Sequence, residues 1–563
     1  MARDTQACEQ LRQEWLAHVQ EDYLQEELQA MEGDSQAVTD AFFQDLVFGT
    51  AGLRGILGAG SNRMNVHTVG RATQGFADYL NANFQNPSIA IGRDSRNRGD
   101  ELVRRAASVL AANGVTAYVF PVIVPTPAVS FAVRDLGCSG GINMTASHNP
   151  AAYNGYKAYG PDGCQIVTEA ADAIGEAIAE VDMFGGVKAA DFDEAVADGR
   201  IQWIGDEVLD RFIDAVEACS AATEADRQTP LRLVYTPLNG TGLDCVRRIL
   251  DRVGITDVAV VPEQAQPDGD FPTCPYPNPE IREALELAIQ LAEEVHPDLL
   301  LATDPDADRV GIGVKAGDDY QLLSGNEVGV LLLDYLASQA AARGEDLGRR
   351  VAVTTIVSSS MVDALADHYG FEVRRTLTGF KYIGEVIAEL EATGEADRFL
   401  FGFEESYGYL NGTHVRDKDA IDATMLICQM AQHYKAQGMN LAEAMEALYE
   451  RHGFYANRTL SFAYPGAEGS QRMAQLMAGL RSQPPADIAG LAVEETVDYA
   501  EGAGNLPPAD VVEFRLAGGN KVIVRPSGTE PKVKAYLFAQ RPTRAQAEDL
   551  LDDMAGAMST IMA

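Results

Sequence analysis

The chain of 563 residues contains no apolar run near the ~18 to 20 residues that a membrane-spanning helix needs. Its opening stretch, MARDTQACEQLRQEWLAHVQEDYLQEELQ, is charged throughout, unlike a secretory leader. Cysteine is sparse: seven residues, Cys8, Cys138, Cys164, Cys219, Cys245, Cys274 and Cys428, odd in number and without a C-x-x-C pair. That pattern argues against disulfide staples and zinc, and for reduced thiols in a cytoplasmic protein with no membrane partner. Positive charge is also short, 44 Lys+Arg against 83 Asp+Glu for a net charge of −39, which disfavours a nucleic-acid partner unless a basic patch is segregated. An anionic substrate would then require cations gathered at its site.

What is present is an ordinary globular composition, 46% hydrophobic and 23% charged, in a chain too long for a single core. Three stretches follow one plan of apolar strand, helix ending in glycine, and strand. The strands SIAIGRDSR, LRLVYTPLNG and RVAVTTIVSSS precede helices that break at Gly114, Gly254 and Gly370. Each predicts a crossover unit in a mainly parallel sheet. The last hundred residues differ, with VVEFRLAGGNKVIVRPSGTEPKVKAYLFA reading as antiparallel strands before a helix from about Arg544. No low-complexity linker separates these parts. The expected boundaries are an N-terminal helical segment over about 1–45, then α/β domains over about 46–200, 201–325 and 326–455, and an α+β domain over about 456–563.

The sharpest motif is LLLATDPDADRVGIGV, in which two apolar runs flank Asp304, Asp306 and Asp308. Three alternate carboxylates repel one another unless a cation offsets them, and hard oxygen ligands suit Mg²⁺. The loop lacks the sixth-position glycine and twelfth-position glutamate of a calcium-binding EF-hand. VIVRPSGTEPKVKAY has the composition of a phosphate cradle: Arg525 for a bidentate fork, Ser527 and Thr529 for hydroxyls, Gly528 for close backbone approach, Lys532 for charge. In FEES, Glu404, Glu405 and Ser406 suit sugar hydroxyls, and HVRDKDA adds Arg416 and Lys418 on either side of Asp417. TLTGFKYIGE offers Thr378, Gly379 and Lys381 just before a helix, and FGTAGLRG sets Arg54 among glycines. Distributed one per domain, these loops predict four domains around a central cleft, three related α/β domains with mixed, mainly parallel sheets plus the α+β domain. Arg54, Lys157, Lys381, Lys418, Arg525 and Lys532 would make it a basic pocket in an acidic protein.

TASHNP, DPDADR, FEES and RPSGTEP, in this order, resemble the α-D-phosphohexomutase superfamily. The flanking FGTAGLRG, YNGYK, TGFKYIG and RDKDA resemble its phosphoglucomutase and phosphopentomutase branch. The resemblance runs from about Phe48 to the end of the chain. It implies that Ser147 is a phosphoserine, that Mg²⁺ is bound by Asp304, Asp306, Asp308 and a phosphoserine oxygen, and that Arg309 lies beside that phosphate. It further implies that Glu404 and Ser406 hold sugar hydroxyls and that Thr378 and Gly379 help to orient the sugar. Arg525, Ser527, Gly528 and Thr529 would grip the nonreacting phosphate, while Arg54, His148, Lys157 and Lys418 assist transfer. The metal loop departs from the D-G-D-G-D of many relatives by carrying proline and alanine between its aspartates. The activity implied is interconversion of glucose 1-phosphate and glucose 6-phosphate with glucose 1,6-bisphosphate as activator. A pentose or mannose phosphate mutase, or a phosphosugar-binding relative without turnover, stays open at the level of the residues.

Overall fold

The three strand, helix, strand units all form parallel crossovers. Ser88–Arg93 leads through helix Gly99–Ala112 to Thr116–Val119, and Arg232–Thr236 leads through Gly242–Arg252 to Asp257–Val260. Val351–Thr355 leads through Met361–Tyr369 to Glu372–Thr376 in the same way. The glycines that stop these helices have φ of 75° at Gly114, 83° at Gly254 and 88° at Gly370, a conformation that a side chain would strain. The structure, a computed structural model, describes residues 3–49, 52–464, 466–527 and 532–562.

Two compact units make up the chain. The first comprises Met1–Leu322, Gly384–Ala396 and Tyr407–Ala436. It contains a six-stranded mixed sheet in the order Leu53–Ile56, Tyr153–Tyr159, Gly140–Met144, Ser88–Arg93, Thr116–Val119 and Ile201–Trp203. A five-stranded sheet follows, in the order Asp319–Leu323, Val310–Ala316, Leu299–Thr303, Arg232–Thr236 and Asp257–Val260. In both sheets the central strands are parallel, while Gly140–Met144 and Leu299–Thr303 each turn back into an antiparallel neighbour. Both of these strands are buried along their whole length, so their turns emerge from the core in a defined direction. One turn carries Ser147 and the other the three aspartates. Helices Thr5–His18, Asp22–Ala30 and Ser35–Phe42 precede the first sheet and bury Trp15, Leu24, Leu28 and Phe42 in the same apolar cluster as Phe76 and Ile89.

The second unit comprises Leu323–Ile383, Asp397–Ser406 and Gln437–Ala563. Strand Val351–Thr355 lies between Glu372–Thr376 and Phe399–Glu404, parallel to both. A separate antiparallel sheet runs in the order Phe454–Ala463, Lys532–Arg541, Asn520–Pro526, Val512–Leu516, Leu491–Asp498 and Asp487–Ile488. Gly518 and Gly519, with φ of 78° and 77°, join two of these strands. Helix Arg544–Met562 packs Leu551, Met554 and Met558 onto the sheet. The chain is thus α/β with mixed, mainly parallel sheets followed by an antiparallel α+β part. Among the described residues no helix is long and apolar enough to cross a membrane, and all seven cysteines are free.

Candidate active site

Ser147 sits in the turn between Gly140–Met144 and Tyr153–Tyr159, only 3% exposed and with φ of 52°, a left-handed conformation for a residue with a side chain. Such a conformation persists only where the surroundings enforce it. Here the enforcing group is Arg96, buried just past strand Ser88–Arg93. Its guanidinium donates to the main-chain oxygens of Ser147 at 2.6 Å, Pro150 at 2.9 Å and Tyr153 at 2.9 Å, and also to that of Asn149. Asp94 orients it, accepting from the Arg96 amide at 2.9 Å and lying 3.3 Å from its Nε. Asp94 also accepts from Thr145 Oγ1 at 2.6 Å, which in turn accepts the Ser147 amide at 2.8 Å. Burial pushes the Asp94 carboxyl up to about 6, against the pull of Arg96 and Thr145.

The Ser147 hydroxyl donates to Asp304 Oδ2 at 2.7 Å and lies 3.1 Å from His148 Nδ1. Burial, and then the charges of Arg309 and Arg54, hold the His148 imidazole well below its usual range. Asp304, Asp306 and Asp308 are at most 1% exposed, and each offers one oxygen to a cluster whose members lie within 4.8 Å of one another. The loop is braced by the Asp308 and Arg309 amides, which donate to Asp304 Oδ1 at 3.1 and 3.0 Å. Ala307, between two of the aspartates, takes φ of 48°, a left-handed conformation that costs a residue with a side chain about 1 to 2 kcal/mol.

Two buried lysines face the triad. Lys157 Nζ lies 2.8 Å from both Asp306 Oδ2 and Asp308 Oδ2, and Lys418 Nζ lies 3.3 Å from Asp308 Oδ2 and 3.2 Å from Asp417 Oδ1. Burial works to discharge Lys157, but Asp306 and Asp308 overcome it and raise its pKa. Thr126, opening helix Thr126–Asp135, donates to Asp306 Oδ2 at 2.7 Å. Burial disfavours the Asp306 charge, but Lys157 more than offsets it and holds the carboxyl below the usual range. Asp304 has no such partner: burial, then Asp306 and Asp308, push it well above that range. Asp306 Oδ1 and Asp308 Oδ1 are buried without a hydrogen-bond donor. Unsatisfied buried carboxylate oxygens within a cluster of three aspartates fit a divalent cation of the hard, oxygen-bound kind.

Of the remaining expected residues in this unit, Arg54 donates to Asn149 Oδ1 at 3.2 Å, beside the Ser147 turn, and Arg309 pairs with Glu280 at 2.8 Å and lies 3.8 Å from Asp308. Arg416 is placed differently from Lys418. Its guanidinium is fully buried, donates to the Thr413 and Val415 carbonyls at 2.5 and 3.0 Å, and pairs with Glu391.

Thr378, Gly379, Lys381, Glu404, Ser406, Arg525 and Ser527 lie in the second unit. Glu404 ends strand Phe399–Glu404, and Glu405 accepts from Thr355 Oγ1 and Ser406 Oγ, each at 3.3 Å. Burial, then Glu404, push the Glu405 carboxyl up to about 7, with Arg525 and Lys534 pulling the other way. Thr378 Oγ1 and Arg525 Nε are buried without a hydrogen-bond partner. Gly379 has φ of 124° with only Lys381 and Tyr382 near its open side, and Lys381 Nζ lies 4.7 Å from the Tyr382 ring centre. The Ser527 amide donates to the Lys532 carbonyl at 2.8 Å, while Gly528 and Thr529 fall outside the described residues.

Models of the phosphoglucomutase/phosphomannomutase alpha/beta/alpha domains I, II and III match residues 45–184, 210–317 and 324–452, and the model of its C-terminal domain matches 481–557. The chain belongs to the phosphoglucomutase/phosphomannomutase family. A phosphoglucomutase of Staphylococcus aureus (strain bovine RF122 / ET3-1) is 35% identical over 518 residues, 89% of this chain and 91% of that one. A phosphoglucomutase of Staphylococcus saprophyticus is 34% identical over 536 residues, 93% and 95% of the two chains. Among solved structures, a phosphoglucomutase/phosphomannomutase family protein of Burkholderia thailandensis superposes with a TM-score of 0.68 at 19% identity, covering 92% of this chain and 98% of its own. The open form of the Paramecium phosphoprotein pp63/parafusin, a phosphoglucomutase, gives 0.66 at 18%, covering 92% and 95%. These two share the fold. Family and relatives together make the chain a mutase of phosphoglucomutase type, an intramolecular phosphotransferase.

Three residues of this cluster carried no signal that the motifs could expose. Arg96 and Asp94 lie in a stretch that reads only as a strand and its exit, and Thr126 lies in a Pro-rich helix start.

Proposed function

We propose that the protein interconverts α-D-glucose 1-phosphate and glucose 6-phosphate in the cytoplasm, with Ser147 as phosphoryl carrier and glucose 1,6-bisphosphate as intermediate and activator. The observation that carries this reading is the buried Ser147 hydroxyl, held 2.7 Å from Asp304 in a turn whose backbone is fixed in the left-handed region. In the forward direction phosphoserine 147 gives its phosphoryl group to O6. The bond from phosphorus to the serine oxygen breaks, that to O6 forms, and the O6 proton leaves as the serine oxygen takes one up to become a hydroxyl. After the bisphosphate has turned over, the serine oxygen takes the phosphoryl group from C1 and the phosphoserine is restored. Lys157 and Lys418, both beside the triad, oppose the charge that accumulates on the transferring group. Asp304, Asp306 and Asp308 would hold Mg²⁺, which when bound supplies further neutralisation of the phosphoserine.

Thr378, Gly379, Lys381, Glu404 and Ser406 are assigned to the sugar, and Arg525 with Ser527 to the nonreacting phosphate. A coupled assay for glucose 6-phosphate formed from glucose 1-phosphate, run beside mannose and pentose 1-phosphates, tests the reading. Faster turnover of either alternative would overturn the substrate assignment. Arg525→Ala should lower kcat/KM about ten- to a hundredfold, because a charged hydrogen bond to phosphate is worth about 1.5 to 3 kcal/mol. Phosphorylation of Ser147 should survive in that variant, and its dependence on added bisphosphate should rise. Unchanged affinity for both ligands would mean that this loop does not hold the second phosphate.

A further inference from the structure

The helices before residue 45 carry none of the groups assigned above, yet two of them grip the loop that follows the Arg54 strand. Leu53–Ile56 is an edge strand, paired only with Tyr153–Tyr159, with Arg54 opposite Gly155. An edge strand has one ladder to hold its register, so the chain beyond it must supply the rest. Beyond Ile56 the backbone closes on itself through Met64 N–H to the Ile56 carbonyl at 2.8 Å and Gly58 N–H to the Met64 carbonyl at 3.2 Å. Asn65 Nδ2 donates to the Gly58 and Gly60 carbonyls at 2.8 and 3.0 Å.

The outside of this loop is bound by the helices. Glu27, in helix Asp22–Ala30, accepts the Ala59 amide at 2.7 Å, a charged bond to a main-chain donor. The Ala41 carbonyl, in helix Ser35–Phe42, accepts the Asn62 amide at 3.0 Å, and the Asp40 carbonyl accepts from Arg63 Nη1 at 2.8 Å. The fit is close. A β-carbon on Gly60 would meet the Ala41 carbonyl oxygen at 2.5 Å, and one on Gly58 would meet the Glu27 carboxylate at 2.8 Å. At the other end of the same short strand, Arg54 reaches Asn149 in the Ser147 turn.

We infer that Glu27 is a positioning residue for Arg54, acting through its bond to the Ala59 amide in the loop that fixes the edge strand. The N-terminal helices are then part of the transfer apparatus, setting the register of an arginine that approaches the phosphoryl carrier. The inference rests on the proposed function and on the role in transfer that the family resemblance implies for Arg54.

The test is a double-mutant cycle in the full chain. Glu27→Ala should lower kcat about three- to tenfold with little change in KM, the scale of one charged hydrogen bond transmitted in part to the site. Glu27→Gln keeps an oxygen that can accept the Ala59 amide and should recover most of that loss. In an Arg54→Ala background, Glu27→Ala should have no further effect, which loss of packing alone would not produce. Arg63→Met, which removes the bond to the Asp40 carbonyl, should show the same dependence on Arg54 and serves if Glu27→Ala does not fold. Multiplicative losses in the double variant, or full activity in Glu27→Ala, would overturn the inference and leave the role of Arg54 standing. Full activity in Arg54→Ala alone would remove both.

Discussion

Ser147→Ala should leave a folded protein with kcat reduced about a thousandfold or more, the scale on which removal of a covalent carrier acts. Both half-reactions pass through the serine oxygen in the proposed mechanism, so no partial route survives its loss. The fold should be spared because the turn is held by main-chain acceptors: Arg96 binds the carbonyls of residues 147, 149, 150 and 153, none of which the substitution removes. Intact mass of the active wild-type protein should show one added phosphoryl group, mapped by peptide analysis to the fragment with Ser147 and absent from the variant. Thermal unfolding should report nearly equal midpoints. An alanine variant with full turnover would exclude Ser147 as the carrier.

The second large effect is expected from Asp306→Asn, and it has a readout apart from activity. Asparagine keeps the side-chain volume and an oxygen for Thr126, but it removes one ligand and one negative charge. In the wild type Asp306 Oδ2 pairs with Lys157, while its Oδ1 is buried without a donor and is left for a cation. In the variant the carboxylate is replaced by a neutral amide, a weaker ligand for a hard divalent cation. Metal affinity should therefore fall at least about a hundredfold, more than the loss typical of an outer-sphere partner. Mg²⁺ at a hundred times its dissociation constant stabilises a native protein by about 2.7 kcal/mol, so the wild-type melting temperature should rise with Mg²⁺. That of Asp306→Asn should be nearly insensitive to Mg²⁺, and turnover should fall with the metal response. If the variant kept both its Mg²⁺-dependent thermal shift and its rate, the triad would not be the metal site.

What could be read from the sequence was contiguous in it. The aspartate loop announces itself because three carboxylates at alternate positions are chemically implausible without a counter-charge, whatever the rest of the chain does. The crossovers were legible because helix stops at Gly114, Gly254 and Gly370 are local events, set by φ values that few other residues adopt. Arg96 was not legible, because its acceptors are main-chain carbonyls 51 to 57 positions away, and a carbonyl has no sequence signature. Thr126 was hidden similarly, 180 positions from the carboxylate it serves. Arg416 and Lys418 show the limit within one motif. Two cations two residues apart look equivalent in the text, but one reaches the aspartates while the other is committed to Glu391 and nearby carbonyls. The N-terminal helices could be seen to be helical, but their grip on residues 58 to 63 depends on glycines that look like ordinary turn formers.

The hold of Arg96 on the Ser147 turn bears on how the enzyme would cycle. In the proposed mechanism the serine alternates between free hydroxyl and phosphate ester at each turnover, a large change of charge and size on one oxygen. A loop held by its own side chains would have to reorganise at each exchange. Here much of the ordering is done by the Arg96 guanidinium, which donates to main-chain carbonyls of the turn, acceptors that phosphorylation of the serine oxygen does not remove. The entropy lost in fixing that turn thus falls on folding and is not repeated with each catalytic event. A turn whose backbone is gripped away from the serine oxygen suits a carrier that both gives and takes.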